Sequence, residues 1–113
     1  MSDCIFCKIA NKEIPSNVVY EDDQMICFHD LTPQAPVHVL LIPKKHIASL
    51  DDALEEDKEL FGQIMLAVKK IASKLGLENG YRVVINCKED GMQTVQHVHL
   101  HILGKRKMLW PPG

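Results

Sequence analysis

The strongest periodic signal in the chain lies between positions 60 and 75. Leu60, Phe61, Ile64, Met65, Val68, Ile71, Ala72 and Leu75 recur at steps of three and four, which gathers them on one helical face. Asp52 with Glu55 three residues on offers a capping box near its start, and Gly76 suits its end. Near the N-terminus, "DCIFCKIANKEI" sets Cys4, Phe6/Cys7 and Ile9/Ala10 at helical spacing too, in a pattern that Ile14-Pro15 ends. The remaining apolar runs are β-like. "NVVYEDDQMICFHD" predicts two short strands about an Asp-rich turn at Glu21–Gln24. The proline-stiffened "LTPQAPVH" feeds "HVLLIP", a buried strand ending at Pro43. "YRVVINC" and the alternating "QHVHLHILG" predict two more strands, joined by the polar "KEDGMQTV". The sum is an α+β fold: a five-stranded antiparallel sheet with one long helix and one short N-terminal helix, the helices segregated from the strands.

Composition narrows the picture. The 113 residues, 46% hydrophobic and 25% charged, suit one globular domain spanning 1–113 with a single core. Net charge is −2, and the basic groups Lys44-Lys45, Lys69-Lys70 and Lys105-Arg106-Lys107 are scattered, so no nucleic-acid partner is expected. No apolar run approaches the length of a membrane span, and "MSDCIFCK" carries an acid where a signal peptide would be basic. A cytoplasmic protein is expected, with its thiols reduced. Cys27 and Cys87 then read as small strand or core residues. Cys4 and Cys7 form a C-x-x-C, a weak zinc signal when it stands alone; redox activity would need a thioredoxin-like context that is missing.

Three of the six histidines fall at alternate positions, His97, His99 and His101. In a strand these share one face, roughly 6.5–7 Å apart at about 3.3 Å per residue, while Val98, Leu100 and Ile102 take the other. One small anionic ligand could touch two of them. Three readings compete: a polar strand face without chemistry, a metal site of the kind imidazoles build, and a nucleophilic centre in which a neutral nitrogen attacks phosphorus or carbonyl carbon. Spacing alone does not separate the last two.

The pattern H-x-H-x-H followed by "ILG" resembles the histidine-triad (HIT) signature. The likeness extends over nearly the whole chain. "IFCKIANKEIPS", "YEDDQMICFHDLTPQAPVHVLLIPKKHI", "YRVVIN" and "WPPG" are similar to the histidine-triad nucleotide-binding branch, the purine nucleoside phosphoramidases. The resemblance implies hydrolysis of the P–N bond of nucleoside 5′-phosphoramidates, with AMP or GMP as product. The middle histidine, His99, would be the nucleophile and form a nucleotidyl-histidine. His101 would contact the phosphate or handle a proton, and His38 would orient His99 by hydrogen bonding. Asn86, Gln93 and Thr94 occupy the phosphate-contacting positions. Asp30 would take the ribose hydroxyls, and Ile5, Phe6, Ile9, Phe28 and Leu31 match the base-lining positions. His29 reads as structural.

Some members of that family hold zinc through a C-x-x-C and two histidines, which here correspond to Cys4, Cys7, His46 and His97. A closed Cys2His2 set would make the zinc structural, with no organic cofactor implied. The family is homodimeric, with the sheet continuing across the pair. Trp110 in the tail would then reach toward the partner's site. Two features depart from the pattern: Met92 stands where relatives often have glycine, and Lys105 and Lys107 replace a glycine and a neutral residue. Rival readings are a dinucleoside polyphosphate hydrolase, a nucleotide-binding interaction module with incidental hydrolysis, and a hydrolase using the triad as metal ligands.

Overall fold

The computed structural model of the protein describes residues 3–113. Helix α1 (Ile5–Ala10) precedes the hairpin β1 (Val18–Glu21) and β2 (Met25–His29), followed by β3 (Val37–Pro43), the long helix α2 (Lys58–Lys74), β4 (Tyr81–Val84) and β5 (Leu100–Gly104). The strands form a five-stranded antiparallel sheet in the order β1-β2-β3-β5-β4. The α+β architecture expected from the apolar rhythm is therefore the one observed.

β3 lies at the centre of the sheet and is apolar on both faces because both are covered. Val39 and Leu41 pack with Leu100 and Ile102 against Ile64, Val68 and Ile71 of α2. Leu40 and Ile42 point the other way, joining Ile26 and Phe28 under Phe6 and Ile9 of α1. A strand covered on both sides reads as a continuous apolar run, whereas one-sided burial gives alternation. His38 has the parity of Leu40, so β3 delivers it to the α1 face.

Helix boundaries follow local chemistry. Cys4 caps α1, its sulfur accepting the Cys7 N–H at 3.3 Å. α2 stops in a Schellman turn: Leu77 N–H donates to the Ala72 carbonyl, Gly76 N–H to that of Ser73, and Gly76 adopts φ +73°. The start of α2 differs from expectation. Residues Leu50–Asp52 and Glu55–Asp57 form two 3-10 turns, and α2 begins only at Lys58. Asp52 accepts the Ser49 hydroxyl at 2.7 Å and does not box with Glu55. Asp57 closes the second 3-10 turn, accepting the Leu54 N–H at 2.9 Å while paired with Lys45, and makes no side-chain cap to α2 itself. Met65 also departs from the pattern: it is 49% exposed, and Ala67 takes a buried place on the α2 face.

The last two strands are shorter than their apolar runs. β4 ends at Val84, and regular β5 begins at Leu100, so His97 and His99 precede the ladder. The partner strand β3 ends at Pro43, whose nitrogen has no hydrogen to continue the pairing. Val98 N–H donates instead to the Ile47 carbonyl at 2.7 Å.

Ile71 is fully buried between α2 and the sheet. Ile71→Ala should cost about 2–5 kcal/mol and Ile71→Val about 0.5–1.5 kcal/mol in denaturant unfolding. Equal losses for the two would contradict tight packing at this seam.

Candidate active site and metal centre

Chain-distant residues converge on the α1 face of the sheet. His101 pairs with Leu40 across the β3–β5 ladder and so shares its face, while its neighbours Leu100 and Ile102 turn toward α2. His38 sits two residues before Leu40 on the same face of β3. Asp30 continues β2 beyond its end, its N–H donating to the His38 carbonyl at 3.0 Å. One ligand atom each of Asp30, His38 and His101 falls within a 4.8 Å group. His99 stands beside them, its ring centroid 5.0 Å from that of His101.

Backbone groups decide where the protons reside. The His97 carbonyl can only accept, so the 2.8 Å contact puts a hydrogen on Nδ1 of His99. In neutral His99 the lone pair is therefore on Nε2. A peptide N–H can only donate, so the Gln34 N–H at 3.0 Å finds a bare Nδ1 on His38. Neutral His38 then carries its hydrogen on Nε2, which donates to His101 Nδ1 at 2.9 Å. That leaves neutral His101 with its hydrogen on Nε2. The pair presents one imidazole with a free lone pair and one with a free N–H.

Burial keeps the inner histidines neutral. His101 is pushed down to about 4, first by desolvation and then by the charges that His99 and His38 would carry, with Asp30 opposing. His38 is lowered by burial, which outweighs the pull of the Asp30 carboxylate 3.5 Å away. His97, also depressed by burial, donates from Nε2 to the Pro43 carbonyl at 2.8 Å. Its other nitrogen is thus a lone pair.

That nitrogen faces a second group. His97 Nδ1 lies 3.3 Å from Cys4 Sγ, 3.5 Å from Cys7 Sγ and 3.2 Å from His46 Nδ1, and Cys7 Sγ is 3.3 Å from His46 Nδ1. Tetrahedral zinc at ordinary N and S distances sets its donors about 3.3–3.8 Å apart, so four soft-to-borderline donors stand at suitable spacing. Burial and the neighbouring Cys4 push the Cys7 thiol up to about 11, a position from which a metal would displace its proton. Phe6 links the two groups, edge-on to His97 at 5.9 Å and to His99 at 5.1 Å between centroids.

Comparisons with known proteins identify the family. The HIT domain family matches residues 11–108. The chain belongs to the HIT family. It is 53% identical over 98% of its length to an uncharacterized HIT-like protein of Synechococcus elongatus, covering 97% of that relative. A HIT family hydrolase from Legionella pneumophila superposes with TM-score 0.96 at 53% identity, over 98% of this chain and 100% of that one. The histidine triad nucleotide-binding protein from Candida albicans gives TM-score 0.85 at 37% identity, over 93% of this chain and 76% of that one.

Within this HIT fold the expected site residues separate into groups. His38, His99, His101 and Asp30 come together, and so do Cys4, Cys7, His46 and His97. Several expectations need correction. His38 bonds to His101, and it is the His97 carbonyl that orients His99. Gln93 has no free donor: its amide nitrogen serves the Ala48 and Val95 carbonyls, its oxygen accepts Lys88 N–H, and its own N–H goes to the Lys88 carbonyl. It braces the loop and does not reach toward a ligand. Thr94 is exposed and, with Ile5, Cys4 and His46, lines an open cavity of about 580 Å³ on the metal-group side. Of the apolar set, Phe6, Ile9 and Phe28 are interior, whereas Ile5 is half exposed and Leu31 almost wholly so. The Gln34 N–H and the His97 carbonyl were not foreseeable, since a peptide group carries no residue-type signal.

Two outcomes follow from these proton positions. Unfolded histidine binds a proton near pH 6.5 but folded His101 only near 4, so stability should fall as pH drops through that window. The slope from this one group is up to about 1.4 kcal/mol per pH unit. His101→Gln should flatten the curve; an unchanged slope would exonerate the buried imidazole. Zinc added to metal-free protein should bind one equivalent through Cys4, Cys7, His46 and His97 and release at least one proton. Its affinity should rise about tenfold or more per pH unit near neutrality, and Cys7→Ser should weaken it sharply.

Proposed function

We propose that this HIT protein is a purine nucleoside phosphoramidase of the histidine-triad nucleotide-binding branch. The observation that carries the reading is the complementary pair: a lone pair on His99 Nε2 beside a free N–H on His101 Nε2. The names of two relatives, a hydrolase and a nucleotide-binding protein, point the same way.

In this reading His99 Nε2 attacks the α-phosphorus of a nucleoside 5′-phosphoramidate, and a P–Nε2 bond forms as the P–N bond to the amine breaks. The departing nitrogen accepts a hydrogen bond from His101 Nε2–H and takes its proton from a water molecule, which is left as hydroxide. The nucleotidyl-imidazolium keeps its Nδ1–H on the His97 carbonyl, which supports the positive charge while it lasts. The hydroxide then attacks phosphorus, the P–Nε2 bond breaks, and AMP or GMP leaves with neutral His99 restored. Depressed basicity suits His101 to this role: neutral at pH 7, it offers an Nε2–H as a hydrogen-bond donor without placing a second positive charge beside the nucleotidyl-imidazolium. Asn86 would supply a phosphate donor. Asp30 accepts from the ribose hydroxyls, with Ile5 and Leu31 as the exposed apolar surface for the base and Phe6, Ile9 and Phe28 packed behind them.

Zinc on Cys4, Cys7, His46 and His97 would act as a cross-link between α1 and the segment before β5, with four protein donors and no open position. A homodimer completes the proposal. β4 is an edge strand of the sheet, Tyr81 on it is 42% exposed, and Leu66 on α2 is 70% exposed. Trp110, 81% exposed, lies beneath the Arg82 guanidinium, which also donates to the Leu109 carbonyl at 2.8 Å, and in the homodimer it would contribute to the partner's site.

The test is hydrolysis of adenosine 5′-phosphoramidate by wild type and His99→Ala, with intact masses of quenched samples. Wild-type turnover, a transient AMP adduct and a loss of at least about a thousandfold in the variant are expected, since nothing else replaces the covalent step. Tight AMP binding by a wild type that leaves every phosphoramidate intact would overturn the enzyme reading in favour of an interaction module.

A further inference from the structure

The proton arrangement at His38 depends on one peptide N–H in an irregular segment. Residues 31–36 have no regular secondary structure and include Pro33 and Pro36. Gln34, in the middle, makes the contact that decides the His38 tautomer. Its own position is set from two sides. Gln34 Nε2 donates to the Thr32 carbonyl at 3.0 Å, and Thr32 is tied in turn to Asp30 Oδ1 through its N–H at 2.8 Å and its hydroxyl at 3.2 Å. From across the molecule, Arg106 Nε donates to the Gln34 carbonyl at 3.0 Å, while Arg106 Nη1 reaches the Lys107 carbonyl at 3.4 Å. Arg106 stands two residues beyond the end of β5, the strand that carries His101.

We propose that Arg106 is a positioning residue for the histidine pair: it holds the Gln34 N–H against His38 and so determines which nitrogen of His101 faces outward with a hydrogen. The inference rests on the phosphoramidase reading and names a further residue for that chemistry. If Gln34 drifts, Nδ1 of His38 loses its donor and becomes free to take the ring hydrogen. His38 Nε2 and His101 Nδ1 would then be two bare nitrogens 2.9 Å apart. The repulsion is relieved when His101 moves its hydrogen to Nδ1, and the outward Nε2–H that meets the leaving amine is gone.

The same lock explains a selectivity between the two histidine clusters. Asp30, His38 and His101 are near enough together to hold a divalent cation. To ligate through Nε2, neutral His38 would have to carry its hydrogen on Nδ1, directly against the Gln34 N–H. Two donors facing each other at 3.0 Å disfavour that state. In the Cys4–Cys7–His46–His97 group the Pro43 carbonyl does the opposite, keeping the hydrogen on the far nitrogen of His97 and leaving the inner one bare. One backbone donor repels a cation from the first cluster, and one backbone acceptor prepares the second for it.

The experiment compares wild type, Arg106→Ala and Arg106→Lys as full chains loaded with one equivalent of zinc. It reads kcat and KM on adenosine 5′-phosphoramidate together with the ring-nitrogen NMR signals of His38 and His101. Arg106→Ala should lower kcat by about three- to tenfold, the scale of one hydrogen bond, with KM changed by less than about twofold. Its His38 signals should shift away from the Nε2–H form, and excess zinc should inhibit it more strongly than wild type. Arg106→Lys should recover most of the rate, because an ammonium can donate to the same carbonyl. Unaltered His38 signals in Arg106→Ala overturn the proposal, whatever happens to kcat. Should the wild type turn over no phosphoramidate, the function reading fails by itself. The nitrogen signals still decide whether Arg106 sets the tautomer.

Discussion

The His97 peptide unit is the joint on which the site depends. Its side chain faces two thiols and a second imidazole, while its carbonyl holds the ring of His99 through Nδ1. One residue therefore belongs to both clusters. The link is short and covalent: only Cβ and Cα separate the ring that faces the thiols from the carbonyl that sets where the His99 lone pair points. Phe6 adds a second connection, since its ring edges meet both imidazoles. Reactive and metal-ready groups can lie side by side here because backbone atoms, which neither titrate nor change rotamer, assign the protons in each.

The sheet does the coarser positioning. Strand parity sends His38 and His101 to the α1 face and their neighbours to α2, and the ladder sets them on adjacent strands. Burial then lowers their basicity, so that both rings are neutral at physiological pH. Packing and acid–base behaviour share one cause: the exclusion of water from these rings.

Much of this was legible in the chain before any coordinates. The alternation through Val98, Leu100 and Ile102 separates a core face from a histidine face, and the spacing of Ile64, Val68 and Ile71 sets the helix that covers the core. Residue-type signals also found the Cys4, Cys7, His46 and His97 set, though only through family resemblance, because 39 residues separate Cys7 from His46 and 90 separate Cys7 from His97. Three things were not legible. Asp57 closes the turn before α2 where Asp52 and Glu55 looked suitable, since the choice depends on Lys45 arriving from another part of the chain. Gln93 looked like a ligand contact, but its amide is consumed by loop carbonyls that have no sequence signature. His38 was assigned to the wrong neighbour because strand register, not composition, decides which histidine it meets.

The brace at Gln93 has a mechanical meaning. Lys88 and Met92 both hold left-handed backbone, φ 61° and 60°, where a side chain costs on the order of 1 kcal/mol or more relative to glycine. Gln93 ties the two ends of that turn together through Lys88, so the loop resembles a bent spring with a latch. Relatives with glycine at the position of Met92 would follow the same backbone path without the load. In this chain the turn carries that cost, and the Met92 side chain is 75% exposed. Substituting glycine there would lift the cost and leave the Gln93 latch as it is.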